Sequence, residues 1–261
     1  MKRIILFLVS AISLSICCQV NAQNKTSKDD VFLVSDPQTA RWSYIETDCK
    51  GKQIATVHNT VESIEGDGVN GKIKLRVEEV PAASPKDITT SFNFYLFKDG
   101  ELMVDMIAGF EYNVFDGNEL DSLVLSIIKE KYPDLPEDKR REVIEETKAY
   151  LLKASGQTRG IPRYPKVGKL PDYEFHLKFN ILSMNVFGTD RKIVGTESIQ
   201  TEAGTFDCFI LEETITTKAM MMKDTEKIIA WYAYGIGLVK EMTYDKNGKL
   251  ISTMILNEVN W

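Results

Sequence analysis

Residues 238–259 read LVKEMTYDKNGKLISTMILNEV, two strand-like runs on either side of the dipeptide Asn247-Gly248. Asn-Gly readily takes the positive φ angles that a tight two-residue hairpin turn requires. The flanking runs mix apolar and β-branched residues with polar ones, as half-buried antiparallel strands do. This stretch therefore predicts a β-hairpin in the last part of the sequence.

The same pattern of short strand-like runs separated by turn residues recurs through most of the chain. Further strands are predicted at 41–47, 53–64, 73–80, 91–97, 102–107, 173–182, 192–201, 206–217 and 225–233. Glycines such as Gly188 and Gly204 fall between these runs, and glycine between strands predicts a turn. We therefore expect a mainly β protein built from antiparallel strands and hairpins.

The middle of the sequence has a different period. Apolar residues recur at steps of three and four from Leu120 to Tyr132 and again from Val143 to Ala154. This spacing places one apolar face on each of two helices. Asn118 is a candidate N-cap for the first helix, and Ser155-Gly156 is expected to end the second. The pattern predicts a helical hairpin inserted at about 119–155.

The N-terminal residues are typical of a secretory signal. Lys2 and Arg3 precede a short apolar run that reaches Ile16, which is too short to span a bilayer, and small residues precede a cleavage site after Ala22. Lipid anchoring through Cys17 or Cys18 is the alternative. We therefore expect a signal peptide at 1–22, a flexible lead-in at 23–33 and a single β-rich domain at 34–261, in a secreted or periplasmic protein.

Composition excludes some classes of partner. Removing 22 of the 261 residues takes away two positive charges, so the formal net charge falls from −6 to −8. An acidic chain is a poor ligand for nucleic acid. No transmembrane segment is expected after the signal is removed. Cys49 and Cys208 are the cysteines outside the signal, and the sequence leaves open whether they form a disulfide or stay free.

Several exact segments resemble a known family. They are Ile161-Pro162, VGKLPD at 167–172, RKIV at 191–194, AGTFDC at 203–208, WYAYGIGLVK at 231–240 and YDKNGKL at 244–250. Looser similarity includes Tyr44, Gly51-Lys52 and Asp105-Met106. Together these segments resemble the TapB-like family of uncharacterised secreted envelope proteins. The resemblance implies an antiparallel sheet curled into a β-roll or an open barrel, and it brings no activity with it.

The segment 231–237 is the best candidate for binding. Gly235 and Gly237 predict a bulge or a sharp bend where the strand turns a corner. Just before them, Trp231 faces one side of a strand while Tyr232 and Tyr234 face the other. One of these faces either lines a cavity that binds an apolar molecule or is packed core. Trp231, Tyr232 and Tyr234 are therefore the candidate ligand-binding residues.

Catalytic signals are weak. His58 and His176 are the two histidines of the chain, they lie far apart in sequence, and the cysteines lack the paired spacing of metal sites. Cys208 alternates with Phe206 and Ile210, which predicts a buried thiol and not a nucleophile. No serine occupies a nucleophile elbow, and no glycine-rich loop fits a phosphate. We predict no catalytic residue, no metal and no cofactor.

Two main hypotheses about function follow from the sequence. The first is an exported, non-catalytic binding or structural domain of the cell envelope, whose partner is an apolar small molecule or another envelope protein. The alternative is a secreted hydrolase with an unrecognised active site. A third possibility is an assembly role in which the 119–155 hairpin docks a partner.

Overall fold

A computed structural model of the chain describes residues 41–66, 71–98, 100–115, 119–131, 133–156, 160–179, 182–219, 222–234 and 236–260. The expected signal peptide at 1–22, its cleavage site, Cys17 and Cys18 lie outside the described residues. The lead-in at 23–33 and the candidate N-cap Asn118 lie outside them as well. Within the described ranges, no helix is both long enough and apolar enough to cross a bilayer.

The first half of the molecule consists of strands followed by helices. The strands are β1 (Arg41–Asp48), β2 (Gln53–Gly66), β3 (Gly71–Pro81), β4 (Thr89–Lys98) and β5 (Glu101–Val104). The helices are α1 (Met106–Phe115), α2 (Glu119–Lys131) and α3 (Glu137–Leu151). The pattern of threes and fours in the sequence falls on α2 and α3, because one face of each helix contacts the core through residues such as Val124, Ile128 and Ile144.

The second half of the molecule is almost entirely strand. It contains β6 (Leu152–Gly156), β7 (Gly160–Pro162), β8 (Gly168–Lys169), β9 (Tyr173–Phe179), β10 (Leu182–Thr201), β11 (Gly204–Ala219), β12 (Met222–Ala233), β13 (Gly237–Asp245) and β14 (Leu250–Asn260). The hairpin predicted at Asn247-Gly248 joins β13 to β14. Gly248 has a φ of +78°, which is the conformation that the Asn-Gly pair predicts.

All strands that the structure describes belong to one antiparallel sheet. Its order is β6-β9-β10-β11-β12-β13-β14-β1-β2-β3-β4-β5-β7, and β8 pairs separately with β10. The mainly β fold class with one large antiparallel sheet is therefore confirmed. The ladder is interrupted between β6 and β7 among the described strands, so the sheet is open, as the resemblance implies.

The sheet curls until its two edges are close together. β6 ends at Gly156 and β7 begins at Gly160. Because an extended residue spans at most about 3.6 Å, the facing ends of these edge strands are no more than about 14 Å apart. Register shifts in several ladders, for example between Ser43 and Tyr44 and between Trp231 and Tyr232, add the local twist that such a curl needs.

A short segment connects the two sides of the interruption. Residues 160–172, which we name the strap, contain β7 and β8. β7 pairs with β5 at one edge of the sheet, and β8 pairs with β10 near the other. The strap therefore bridges the gap that the strand ladder leaves open.

The inner face of the curled sheet is the core of the protein. Alternate residues along each strand are buried there, and the buried residues of all long strands form one continuous apolar cluster with Phe110 of α1 and Val124 of α2. α1 packs along the edge of β4 that faces away from β3, where the side-chain amide of Asn113 bonds both the N–H and the C=O of Phe92 at 2.7 Å.

Two expectations about the helical region need correction. A strand is predicted over 102–107, but β5 ends at Val104 and α1 begins at Met106. The Asp105 carboxylate accepts a hydrogen bond from the Ala108 N–H at 3.0 Å, which caps the start of this helix. The second predicted helix extends to Ser155, but residues 152–156 form β6, because they pair with β9 at the edge of the sheet.

Two expectations about glycines also need correction. Gly188 is predicted in a turn, but it lies inside β10 opposite Tyr173. A Cβ atom on Gly188 would lie only 1.9 Å from the Tyr173 ring, so glycine lets that ring lie across the strand. A bulge or sharp bend within a strand is predicted at Gly235, which lies outside the described residues, and at Gly237. Gly237 instead follows a chain reversal from β12 to β13, in which the Ile236 N–H donates to the Ala233 C=O at 3.2 Å.

Candidate functional site

The three aromatic residues predicted to bind a ligand lie at the end of β12. Tyr232 faces the core and stacks on Phe209 with ring centroids 5.5 Å apart. Tyr234 lies 5.9 Å from the same phenylalanine ring and is 37% exposed. Trp231 is 7% exposed. It points to the face opposite that of Tyr232, because successive residues of a strand alternate between faces. Its cross-strand neighbours are Ile210 and Lys240.

Trp231 already has two polar neighbours in the protein. Its indole N–H donates to the Glu197 carboxylate at 2.7 Å, and the Lys240 ammonium lies 4.6 Å from its ring centroid. Trp231 and Tyr232 are both buried, and the indole N–H of Trp231 has a partner within the protein. A binding role for Trp231, Tyr232 and Tyr234 stays a prediction.

The residues weighed for catalysis lie in separate parts of the sheet. His58 is exposed on β2, whereas His176 lies on β9, with its Nδ1 2.7 Å from the Asn185 Oδ1. Cys208 is buried on β11, and Cys49 is exposed in the turn after β1, both as free thiols. In the part of the chain that the structure describes, no group of three His, Cys, Asp or Glu residues could hold a metal ion.

The environment of Cys208 disfavours a thiolate. Burial raises the pKa of this thiol to about 12, and the negative charges of Asp207 and Glu197 act in the same direction. The thiol is therefore protonated at neutral pH. A nucleophilic cysteine needs the opposite, a lowered pKa next to a positive charge.

The interior contains a buried ion pair that sequence reasoning did not single out. Arg191 of β10 is 4% exposed and Glu213 of β11 is 1% exposed. The Arg191 Nε donates to the Glu213 carboxylate at 3.1 Å, and its Nη1 donates to the Pro171 C=O at 2.7 Å. Its Nη2 donates to the Gly160 C=O. We name Arg191, Glu213, Pro171 and Gly160 the latch.

The latch explains how the strap is held. Gly160 and Pro171 both belong to the strap, so one guanidinium fastens its two ends to β10 and, through Glu213, to β11. The guanidinium also lies 5.0 Å from the Tyr173 ring centroid. A buried charge is stable only when it is paired and its hydrogen bonds are made, and Arg191 meets both conditions.

A second group of buried polar side chains lies on the inner face of β1, β2 and β4, without such partners. Trp42 is 3% exposed and Asn59 is 1% exposed, and the two residues are directly opposite each other on β1 and β2. Among the described residues, neither the Trp42 Nε1 nor either polar atom of the Asn59 amide has a hydrogen-bond partner. The Nδ2 of Asn93, buried on β4, is also without one. We name Trp42, Asn59 and Asn93 the polar triad.

The strand register places the triad on one surface. Asn59 pairs with Val77 and Val77 pairs with Ser91, while Leu75 in the adjacent row pairs with Asn93. Asn93 is therefore two strands from Asn59 and two residues further along, a separation of about 12 Å between Cα atoms. The other buried residues of this surface are Ser91, which is polar, and the mainly apolar set Val57, Val61, Leu75, Val77 and Tyr95.

The alternation of the sequence could have revealed Asn59. Positions 55, 57, 59 and 61 of β2 face the core as Ala, Val, Asn and Val. Asn59 is therefore a polar residue at a position where the alternation of the strand predicts an apolar one. Each buried polar group without a partner costs about 1–3 kcal/mol. Native proteins keep few of them, and each one points to a water, a ligand or a functional strain.

Carboxylates lie on the same face, closer to the β1–β2 turn. Glu46 is opposite Ala55 and Glu79 is opposite Val57 in the strand register. Burial raises the pKa of Glu46 above its ordinary value, the Glu79 charge raises it further, and a hydrogen bond with Ser252 acts in the opposite direction. On this face the triad therefore has carboxylates on the side of the β1–β2 turn and mainly apolar residues elsewhere.

Comparisons with known proteins concern mainly the fold. Residues 165–256 match the DUF3108-like family. A predicted lipoprotein from Parabacteroides distasonis has a crystal structure with a TM-score of 0.58 and 19% identity, covering 90% of this chain and 100% of the other.

A predicted exported protein with a YmcC-like fold from Bacteroides fragilis gives a TM-score of 0.57 and 14% identity, covering 89% of this chain and 100% of the other. No curated protein sequence matches this chain. At such identities the likeness to the solved structures concerns the fold alone. The chain therefore carries a DUF3108-like region in its second half and shares its fold with these two bacterial proteins.

Proposed function

We propose that this chain is an exported, non-catalytic domain of the cell envelope that binds a small molecule on the inner face of its curled sheet. The observation that supports the proposal is the pair Trp42 and Asn59, which brings one indole N–H and a complete amide to the same buried spot, without partners among the residues that the structure describes. Within an apolar interior, such groups are the polar contacts that orient a bound molecule.

The latch differs from the triad, because its buried polar groups have hydrogen-bond partners in the same interior. There a more demanding group, a charged guanidinium, finds protein partners for each of its nitrogens. The fold is thus able to satisfy buried polar side chains, and a triad left unsatisfied calls for a different explanation. A molecule that supplies the missing hydrogen bonds would recover about 1–3 kcal/mol for each group.

Export is the second part of the proposal. It rests on the signal-like residues 1–22, with a secreted or periplasmic location after cleavage and lipid attachment at Cys17 or Cys18 as the alternative. The words lipoprotein and exported describe the two proteins of similar fold, and they agree with either route. The TapB-like assignment stays a prediction, because the family that matches has a different name. The matched residues of this chain, 165–256, overlap the segments that carry the stronger part of the TapB-like resemblance.

The experiment that tests the proposed function is native mass spectrometry of residues 23–261, purified from an exporting host under gentle conditions. We expect a bound mass that is lost when the protein is denatured. The variant Asn59→Leu should carry less of that mass. Asn185→Leu is the matched control, because Asn185 contacts His176 on the outer face of β10 and should leave binding intact.

The proposal fails if the wild-type protein is isolated without a ligand and binds no apolar probe on titration. A mass that co-purifies equally with Asn59→Leu would place the ligand elsewhere in the molecule and overturn the role of the triad. The same spectra of the intact protein also report whether Cys49 and Cys208 are joined, because a disulfide removes two hydrogens.

A further inference from the structure

We infer that the polar triad selects a ligand whose apolar body ends in an uncharged head with both a hydrogen-bond donor and an acceptor, as in a primary amide or an alcohol. This inference rests on the proposed function and specifies its ligand class. It excludes carboxylates and other anions of the same length.

The hydrogen-bonding groups of the triad define the head. The Asn59 amide offers a donor at Nδ2 and an acceptor at Oδ1, and within the described ranges neither atom has a partner. Trp42 Nε1 is a donor and can reach the same spot, because its residue is the direct cross-strand neighbour of Asn59. A carbonyl or hydroxyl oxygen would accept from these N–H groups, while an N–H or O–H on the same head would donate to Asn59 Oδ1.

Charge decides between a neutral head and an anion. Three N–H donors alone would also suit a carboxylate, but the strand register places two carboxylates on this face, Glu79 in the row next to Asn59 and Glu46 one row further away. Among the described residues, the cation in the buried interior is Arg191, and its nitrogens are engaged by Glu213, Pro171 and Gly160. A buried anion would therefore lack a cation and meet like charge, a large penalty in an apolar medium.

A cationic head is disfavoured by the hydrogen bonds. An ammonium group is a donor only, so it could not accept from Trp42 Nε1 or from the two amide nitrogens of the triad. It would leave these donors unsatisfied and would itself need acceptors beyond the single Asn59 Oδ1. The neutral head is the class that satisfies the donors and the acceptor together.

The body of the ligand is defined by the rest of the surface. Between Asn59 and Asn93 the inner face contains Val77 and Leu75, with Val57, Val61, Ser91 and Tyr95 beside them. Among these side chains only Ser91 and Tyr95 have a polar atom. All six are at most 7% exposed without a ligand, so binding requires the groups that cover them to move. An alkyl chain or a similar apolar body packs against such a surface, with about 0.8 kcal/mol gained for each buried methylene.

The test displaces the neutral fluorescent probe N-phenyl-1-naphthylamine with four ligands that share one chain: decanamide, decan-1-ol, decanoate and decylammonium. The buffer is kept well above the pKa of the fatty acid, and the protein is the signal-free chain 23–261. We expect decanamide and decan-1-ol to compete at least about tenfold better than either ion. In Asn59→Leu the advantage of decanamide should disappear, whereas Asn185→Leu should retain it.

The other outcomes distinguish a failure of the head-group inference from a failure of the proposed function. If decanoate or decylammonium competes as well as decanamide, the head-group inference is overturned while the proposed function stands. If the neutral ligands win but Asn59→Leu keeps their advantage, selection occurs away from the triad and the inference fails. If neither the probe nor any of the four ligands binds, the proposed function itself fails.

Discussion

The latch and the polar triad are two groups of buried polar side chains inside one sheet, and they differ in whether their hydrogen bonds are made. Both place polar side chains in the apolar interior, where every missing hydrogen bond costs free energy. Arg191 meets Glu213, Gly160 and Pro171, whereas Trp42 and Asn59 meet no partner among the described residues. The difference teaches that burial alone does not mark a functional site, and that the informative feature is burial without partners.

The two groups also differ in where they fall along the chain. Arg191, Glu213 and Pro171 lie within residues 165–256, the part that matches the DUF3108-like family. The triad lies on β1, β2 and β4, outside that part. This division separates the latch, which lies mainly in the part that resembles this family, from the triad, on which the proposed ligand binding rests.

The largest expected effect comes from breaking the latch. Replacing Arg191 by Met should lower the free energy of unfolding by about 3–5 kcal/mol, because Glu213 would keep a buried charge without its cation. Urea unfolding followed by circular dichroism measures the change. The control is Lys192→Met at the next position, whose exposed ion pair with Glu212 should contribute at most about 1 kcal/mol.

If the two variants lose similar stability, the latch has no special role and the contrast with the triad collapses. If Arg191→Met does not fold, the double variant Arg191→Met/Glu213→Gln provides the measurement. Removing both charges should recover part of the loss, since the uncompensated carboxylate is gone. No recovery at all would mean that the hydrogen bonds to the strap matter more than the ion pair.

Replacing Asn59 by Leu should have a smaller effect of the opposite sign. Leucine has the same branching as asparagine but no polar atoms, so the ligand-free protein should gain about 1 kcal/mol of stability. Asn113→Leu is the matched control. The Asn113 amide is bonded to the Phe92 backbone and to the Gly109 C=O, so this variant should lose about 1–3 kcal/mol.

A loss of stability in Asn59→Leu as large as that in Asn113→Leu would show that ordered water or another group satisfies Asn59 in solution. The triad would then resemble the latch and would be structural. Urea unfolding of ligand-free protein distinguishes these outcomes, provided that both variants are compared under identical conditions.

The sequence predicts the local parts of this architecture well. The Asn247-Gly248 turn, the alternating strands and the two helices with a clear stripe at α2 and α3 all follow from patterns over a few residues. α1 is missed because Met106–Phe115 is apolar on several sides: Phe110 is buried in the core, while Tyr112 packs on Phe92 of β4. Such a segment has no clean stripe and reads equally well as a strand.

Long-range relations are what the sequence does not reveal. Nothing near Arg191 in the sequence indicates that it will meet Gly160 in a strap that crosses the gap of the sheet. The sequence predicts a turn at Gly188, because its actual role, leaving space for the Tyr173 ring, depends on a paired strand. Asn59 was within reach of sequence reasoning, since it interrupts the apolar phase of β2, but its lack of partners depends on every strand around it.

The smallest expected effect concerns Glu46, which is intermediate between the two groups because it is largely buried and has one hydrogen bond, to Ser252. Folding raises its pKa above the ordinary value of 4.5, mainly through burial. The folded protein then holds this proton more tightly than the unfolded chain does, so stability falls as the pH rises from the ordinary pKa through the raised one. Glu46→Gln removes that loss, because glutamine does not ionise.

Glu46→Gln should therefore be slightly more stable than the wild type at neutral pH, and the difference should vanish in acid, below the ordinary pKa of the carboxyl. Thermal unfolding at both pH values measures it. Asp245→Asn is a control of opposite sign, because hydrogen bonds from the backbone N–H groups of Lys249 and Asn247 lower the pKa of Asp245. Its stabilising effect is present above the ordinary pKa, so this variant should be less stable at neutral pH. If Glu46→Gln is less stable than the wild type at neutral pH, the Glu46 carboxylate has a stabilising partner, and the triad is not bordered by the unfavourable negative charge that its selectivity for neutral ligands requires.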